Sequence, residues 1–384
     1  MNFSLSETQV MMRSEARKFL EKDCPVRLVR ELEGDEKGYS PELWRKMGEL
    51  GWMALPFPEV HGGLGGSFLD LVLLIEETGR VCLPSPLIPS VILGGMTLLN
   101  MGSDLQKSKS LPAIITGETI CTLALLESND NYGPSGVQCH AVPSGNGYLL
   151  KGTKRFVPDA HVADQILVAA RTLPESDGDS GITLLILDAN DEGIQVRPLK
   201  TFAGDKPCVV AFDIRVPQSA LIGENGKAWA CLEKTLEMAA VAKCAEMVGG
   251  ARRILEMSLA YARERTQFGR PIGSFQAIQH HCANMAMDVE AAGVNTYHAA
   301  WLISEGLPAT KNVSAAKAFV GEAFRRVGLL GHQIHGAIGF TRELDLELFI
   351  RRIKAGEASF GNADFHRQII AQSIVNEQAG DRRK

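Results

Sequence analysis

The chain has no C-x-x-C pair among its eight cysteines, Cys24, Cys82, Cys121, Cys139, Cys208, Cys231, Cys244 and Cys282. A zinc site or a disulfide framework is therefore not expected, and reduced thiols in the cytosol fit the spacing better. The histidines form no H-E-x-x-H, and the adjacent pair His280–His281 would point about 100° apart on a helix, a poor metal pair. No Lys/Arg block stands out, and 40 basic against 45 acidic residues leave a net charge of −5. That balance excludes the basic clusters expected of nucleic-acid binding and of an anionic membrane surface. No apolar run approaches the ~18 residues needed to cross a bilayer. Met1–Arg17 lacks an apolar stretch behind a basic start, so no signal peptide is expected, and a cytoplasmic protein is. Internal repeats and low-complexity tracts are missing as well.

What is present divides the 384 residues into three stretches, close to the two or three domains suggested by roughly 150 residues each. Up to residue 117 the pattern is helical. Ser6 and Gln9 suggest a capping box, and Val10, Met11, Phe19 and Leu20 suit one helix face. Ser40-Pro41 reads as a helix start, Gly51 as a stop, and Ser67 as a cap before Leu69–Ile75. Three prolines within Leu83–Pro89 are expected to break helices on either side. From 118 to 226, short apolar runs predict strands at Cys121–Leu126, Tyr148–Phe156, Gln165–Ala170, Ile182–Leu187, Ile194–Leu199 and Val209–Val216. Their clearest breaks are Ser128–Ser135 and Pro174–Gly181. From 227 to 384 long helices are predicted at Trp229–Arg263, Phe275–Glu305, Ala309–Gln333 and Glu343–Phe360. The loops between them fall at Gly269–Gly273, Gly306–Pro308 and Gly336–Gly339. The fold class expected is α+β and multidomain: an N-terminal helical domain, a central antiparallel β-sandwich or barrel, and a C-terminal four-helix bundle.

Three motifs add a resemblance. Arg263-Glu-Arg265-Thr-Gln267-Phe268-Gly269-Arg270-Pro271-Ile272-Gly273-Ser-Phe275-Gln276, then Gln333-Ile-His-Gly336-Ala-Ile-Gly339-Phe340 followed by Arg351-Arg352, and Gly152-Thr-Lys154-Arg-Phe156-Val-Pro-Asp159-Ala-His161-Val-Ala-Asp164 resemble the acyl-CoA dehydrogenase family. The resemblance covers nearly the whole chain in the right order. It implies FAD held at subunit interfaces of a tetramer, an acyl-CoA substrate, and electron-transfer flavoprotein as a possible acceptor. It implies that Arg265 reaches the FAD pyrophosphate across a subunit boundary, where a bidentate guanidinium suits phosphate oxygens. Phe268 is then near the adenine or ribose, and Gln276 opens the next helix. Gln333 and backbone amides at Gly336–Ala337 approach the diphosphate; Ala337 departs from the usual glycine, since a methyl limits φ and approach. Gln267, Leu125 and Phe156 complete the implied cofactor contacts. Read alone, Arg265 would be a solvated cation, Gln333 a surface glutamine, and Phe268 and Phe275 core residues.

The catalytic positions are where the chain departs. Dehydrogenation needs a carboxylate to take the α-proton while hydride leaves the β-carbon. The family places it in a Glu-Gly-Thr turn, which reads Phe360-Gly361-Asn362 here, or on the first long C-terminal helix, where Ala239 stands followed by Ala240. The flavin-facing loop keeps Glu127 within Leu126–Gly133 but lacks the Ser-Asp pair. Together with the runs 156–164, 245–251 and Glu357–Gly361, these losses resemble the subunit without a catalytic carboxylate in heteromeric acyl-CoA dehydrogenases. Substitute bases would be Glu357, one turn before Phe360, or Glu246, which shares a helix face with Ala239 and Lys243. Each also reads as an ion-pairing residue, Glu357 with its Arg351–Lys354 neighbours and Glu246 with Lys243. A sharper reading makes Lys243 and Glu246 part of a polar pocket for a carboxylate-tailed acyl group. The alternatives are an active homomer with a displaced base, a flavin monooxygenase, and a structural partner on the same fold. His61, His140 and His366 carry no special signal.

Overall fold

The computed structural model describes residues 5–173 and 178–381. The first segment forms α1 (Glu7–Asp23), α2 (Val26–Gly34), α3 (Pro41–Glu49), α4 (Phe68–Arg80), α5 (Thr97–Met101) and α6 (Asp104–Thr116). Helix starts follow the capping chemistry. Ser6 and Gln9 satisfy each other's backbone at α1, Ser40 caps α3 with Pro41 behind it, and Ser67 forms a capping box with Asp70 on α4. Gly51, at φ +77°, takes the left-handed conformation just beyond α3. The proline-rich stretch ends one helix but does not prevent the next. A π-helix, Ile88–Met96, begins directly at it and runs into α5. Pro89 lies in its first turn, where a missing N–H costs nothing.

The middle segment forms β1 (Cys121–Ala124), β2 (His140–Pro143), β3 (Gly147–Val157), β4 (Gln165–Arg171), β5 (Ile182–Asp188), β6 (Ile194–Pro198), β7 (Cys208–Pro217) and β8 (Leu221–Ile222). All six expected strands occur; β2 and β8 are short additions. The break expected over Pro174–Gly181 lies partly outside the described residues. One sheet runs β6-β7-β3-β2-β4-β5-β8, with β1 beside β4. Most neighbours are antiparallel, but β1 pairs β4 in parallel from Cys121↔Gln165 to Ala124↔Val168, and β2 meets β4 in parallel at His140↔Arg171. Ala124, Leu150, Ile166, Val168, Leu185, Val210 and Phe212 form its core.

The last segment forms α7 (Trp229–Glu264), a hairpin of β9 (Thr266–Gln267) and β10 (Arg270–Pro271), then α8 (Gln276–Ser304), α9 (Thr310–His335), α10 (Leu346–Ala358) and α11 (Ala363–Asp381). The loop expected around Gly269 contains that hairpin, and α11 is a fifth helix, packed on α9. Among the described residues no helix is long and apolar enough to cross a membrane.

Spatially the chain forms two compact units. One comprises Met1–Arg30, Ser67–Leu83 and Ala240–Lys384; the other comprises Glu31–Gly66 and Pro84–Ala239. In the helical unit α4 crosses α7 with backbones in contact. A Cβ on Gly79 would lie 2.0 Å from the Glu246 carbonyl oxygen, and one on Gly249 would lie 1.9 Å from that of Glu76. Buried Glu76 and Glu77 sit at this crossing. Glu76 accepts from Arg13 Nη2 (2.9 Å), Arg252 Nε (3.0 Å) and the Tyr297 hydroxyl; Glu77 accepts from Arg17 Nε (2.8 Å) and Arg13 Nε (3.3 Å). The face of α1 turned to α4 therefore carries Arg13 and Arg17. Val10 and Met11, expected on the apolar face, are exposed, while Leu20 is buried.

Candidate functional site

Between α10 and α11 the chain turns through Ser359-Phe360-Gly361-Asn362. Phe360 takes φ +57° and Gly361 φ +95°. A left-handed conformation costs an ordinary residue roughly 1–2 kcal/mol, so neighbouring groups must enforce it. Lys317 on α9 is 1% exposed, and its Nζ donates to the carbonyls of Glu357 (3.0 Å) and Gly361 (2.9 Å). His366 on α11 bonds the Phe360 carbonyl through Nε2 (2.9 Å) and Ser314 Oγ through Nδ1 (3.2 Å). A carbonyl only accepts, so Nε2 carries the proton and Nδ1 accepts from the serine. Three carbonyls at a helix end that would otherwise be orphaned are thus capped by side chains from two other helices. Sequence reasoning assigned His366 no role and passed over Lys317; only the fold brings either to residue 360.

Burial pushes the Lys317 ammonium down to about 8 and the His366 imidazole down to about 4. His366 ordinarily titrates near 6.5. Below that pH the unfolded chain gains a proton that the folded chain refuses until about pH 4. The stabilisation is complete above pH 6.5 and is lost as pH falls towards 4, about 3 kcal/mol in total. Urea unfolding followed from pH 7 to 4 is expected to show that extra loss in the natural chain and not in His366→Gln. Parallel pH profiles would reject the assignment.

The expected base positions and their substitutes have these surroundings. Phe360 is partly buried in the turn. Ala239 and Ala240 are buried on α7. Glu357 pairs with Lys354 (2.9 Å) and lies 3.9 Å from Arg325; Glu246 pairs with Lys243 at 2.8 Å.

The hairpin residues of the helical unit face outward. Phe268 and Gly269 occupy the β9–β10 turn at φ +52° and +77°, and Phe268 is 92% exposed. Its ring meets Phe275 edge-on at 6.1 Å, and the Arg270 guanidinium lies 4.2 Å from the Phe275 centroid. Arg265, Gln267 and Gln276 are exposed. The Tyr261 ring lies tilted against His335 with centroids 4.6 Å apart, which sets the end of α7 beside the end of α9. There Gln333, Gly336 and Ala337 are exposed. Gly336 has φ +64°, and nothing lies within 4 Å of where its Cβ would be. Ala337 is not among the left-handed residues, so its methyl strains no backbone. This donor set of guanidinium, side-chain amides and open backbone suits a phosphate-bearing ligand with an aromatic ring.

In the sheet unit the end of β1 lies against a bulge in β3. Arg155 N donates to the Leu126 carbonyl at 2.8 Å, and the β3–β7 register shifts between Lys154 and Val157. There Phe156 takes φ +51° and is 47% exposed. Fully buried Lys154 donates to the Leu125 carbonyl (3.0 Å) and to Glu127 (2.7 Å). Glu127 also accepts from the backbone N–H groups of Gln138 (2.8 Å) and Cys139 (2.9 Å). The pair fixes both ends of the loop that follows Leu126. Phe156, Phe268 and Phe360 are thus all left-handed, and all three occupy positions that the motifs marked.

Residues 6–118, 123–213 and 226–375 match, in that order, the family models "Acyl-CoA dehydrogenase, N-terminal domain", "middle domain" and "C-terminal domain". A probable acyl-CoA dehydrogenase, YngJ of Bacillus subtilis (strain 168), is 33% identical over 98% of this chain and 100% of its own. A solved FAD complex of PigA superposes with a TM-score of 0.89 at 28% identity, covering 97% of this chain and 99% of that one. The ChsE4-ChsE5 complex from Mycobacterium tuberculosis superposes at 0.89 with 27% identity, covering 98% and 99%. The chain belongs to the acyl-CoA dehydrogenase family.

Proposed function

We propose that this chain is a FAD-binding subunit of a hetero-oligomeric acyl-CoA dehydrogenase and that a second, related subunit supplies the α-proton base. The observation that carries the reading is the Phe360 turn. Its backbone is enforced by Lys317 and His366, yet the side chain it presents cannot take a proton. The other position where the family carries a base holds the buried methyl of Ala239. The similarity to one partner of a two-component complex points the same way.

FAD, when bound, supplies the hydride acceptor. Arg265 would pair with its pyrophosphate, and Gln333 with the open backbone at Gly336–Ala337 would donate to the same group. Phe268 offers a ring face, with Gln267 and Gln276 as polar neighbours; Leu125 and Phe156 are the contacts proposed from the sheet unit. The FAD complex of PigA supports the cofactor. Residues 1–117, 118–226 and 227–384 are the proposed modules, the assembly is a cytoplasmic tetramer, and electron-transfer flavoprotein is the proposed acceptor.

The test is purification of the chain alone and with whatever subunit accompanies it in its native host. Alone it is expected to bind flavin substoichiometrically and to leave acyl-CoA unreacted; with its companion, flavin is bleached on mixing with acyl-CoA. Robust turnover by the homomer would overturn the proposal.

A further inference from the structure

The helical unit encloses a cavity of about 20 Å³ lined by Gly79, Cys82, Leu83, Glu246, Met247, Gly250, Phe324, Phe349 and Arg352. That is room for one oxygen atom, since a water needs ≳10–15 Å³ of such space. Its lining carries one acidic and one basic side chain, Glu246 and Arg352. Glu246 is already committed to Lys243 at 2.8 Å, and the neighbouring Arg351 to Glu347 at 2.7 Å. Arg352 is different. Its Nε is buried and has no hydrogen-bond partner. Cys82, at the cavity wall, takes φ +51°. Burial pushes its thiol up to about 12, so the sulfur is neutral and cannot offset the guanidinium. A buried donor without an acceptor is costly, the more so when it is charged, and Arg352 Nε is such a donor.

Leu83, Met247, Phe324 and Phe349 give the cavity an apolar wall, and a charge-assisted bond made against such a wall is stronger than one in bulk water. Backbone and ring contacts limit its expansion on two sides. A Cβ on Gly79 would meet the Glu246 carbonyl, and one on Gly250 would lie 2.8 Å from the Phe324 ring. Met247 is the wall that can adapt to an occupant.

We infer that this cavity receives one carboxylate oxygen at the far end of a dicarboxylic acyl group, and that Arg352 is the residue that selects it. The inference rests on the proposal that the chain binds acyl-CoA. It adds the class of acyl group: a chain with a terminal carboxylate is preferred over the apolar chain of equal length.

The experiment is isothermal titration of the full chain, in its natural flavin-loaded assembly, with adipyl-CoA and hexanoyl-CoA. The expected result is binding of adipyl-CoA at least about tenfold tighter, the worth of one charge-assisted hydrogen bond. In Arg352→Met the ratio is expected to fall to about one through weaker adipyl-CoA binding, with hexanoyl-CoA unchanged. Should that variant fail to fold, Arg352→Gln, which keeps a polar side chain of similar reach, is expected to lose the same preference. Equal affinities in the natural chain, or a preference that survives either substitution, overturns the inference and leaves acyl-CoA binding intact. Failure to bind both thioesters overturns the inference together with the acyl-CoA reading.

Discussion

Gly79→Ala is expected to destabilise the helical unit by about 3 kcal/mol or more, near the upper end for overpacking. The added methyl would sit 2.0 Å from the Glu246 carbonyl oxygen, a backbone atom that no side-chain rotation can move aside. Relief requires α4 and α7 to separate, and that separation pulls on the buried ion network. Glu76 is bonded to Arg252 on α7, Arg13 on α1 and Tyr297 on α8, while Arg80 on α4 bonds Glu256 on α7 at 2.7 Å. Breaking one partner away from a buried charge pair is far costlier than losing an exposed one. Gly249→Ala attacks the same crossing from the other helix, 1.9 Å from the Glu76 carbonyl. The two together are therefore expected to cost less than their sum, since either one alone forces the helices apart. Thermal unfolding is the measurement, with a fall of about 6 °C or more for each single variant. A midpoint within a degree of the natural chain would show that the crossing yields freely.

That crossing also marks a limit of reading the sequence. The runs that became β4 and β5 are continuous and apolar because both their faces are buried, so they are visible without a partner. Capped helix starts are visible for the same local reason. The inward face of α1 is not. Arg13 and Arg17 look like surface residues until Glu76 and Glu77, some sixty positions away, are known to be buried opposite them. β2 and β8 are too short to show a period, and β2 is largely exposed. At the candidate site the motifs single out the positions of Phe156, Phe268 and Phe360, but not their shared left-handed backbone. That conformation is imposed by distant groups: Lys317 and His366 on one turn, and the bulged β3 strand on another. Arg352 was visible only as half of an Arg-Arg pair; its lack of an acceptor is a property of the packed cavity.

Phe360→Glu is expected to raise flavin reduction by acyl-CoA about 10²–10⁴-fold, the usual worth of a placed general base. The backbone at 360 is held from outside, through the carbonyls of residues 357, 360 and 361, so the direction of its Cα–Cβ bond does not depend on the phenyl ring. Glutamate pays the same left-handed penalty as phenylalanine and inherits that direction. Phe360→Gln has the same shape without a basic oxygen and is expected to gain nothing. Adding Lys317→Met to Phe360→Glu releases the carbonyls of Glu357 and Gly361, and the gain is expected to disappear while flavin content is retained. Anaerobic mixing with acyl-CoA, followed by loss of the oxidised flavin absorbance, reads all four proteins. If Phe360→Glu folds, holds flavin and reduces it no faster than the natural chain, residue 360 does not face the acidic C–H. The missing carboxylate would then not explain a helper role for this chain.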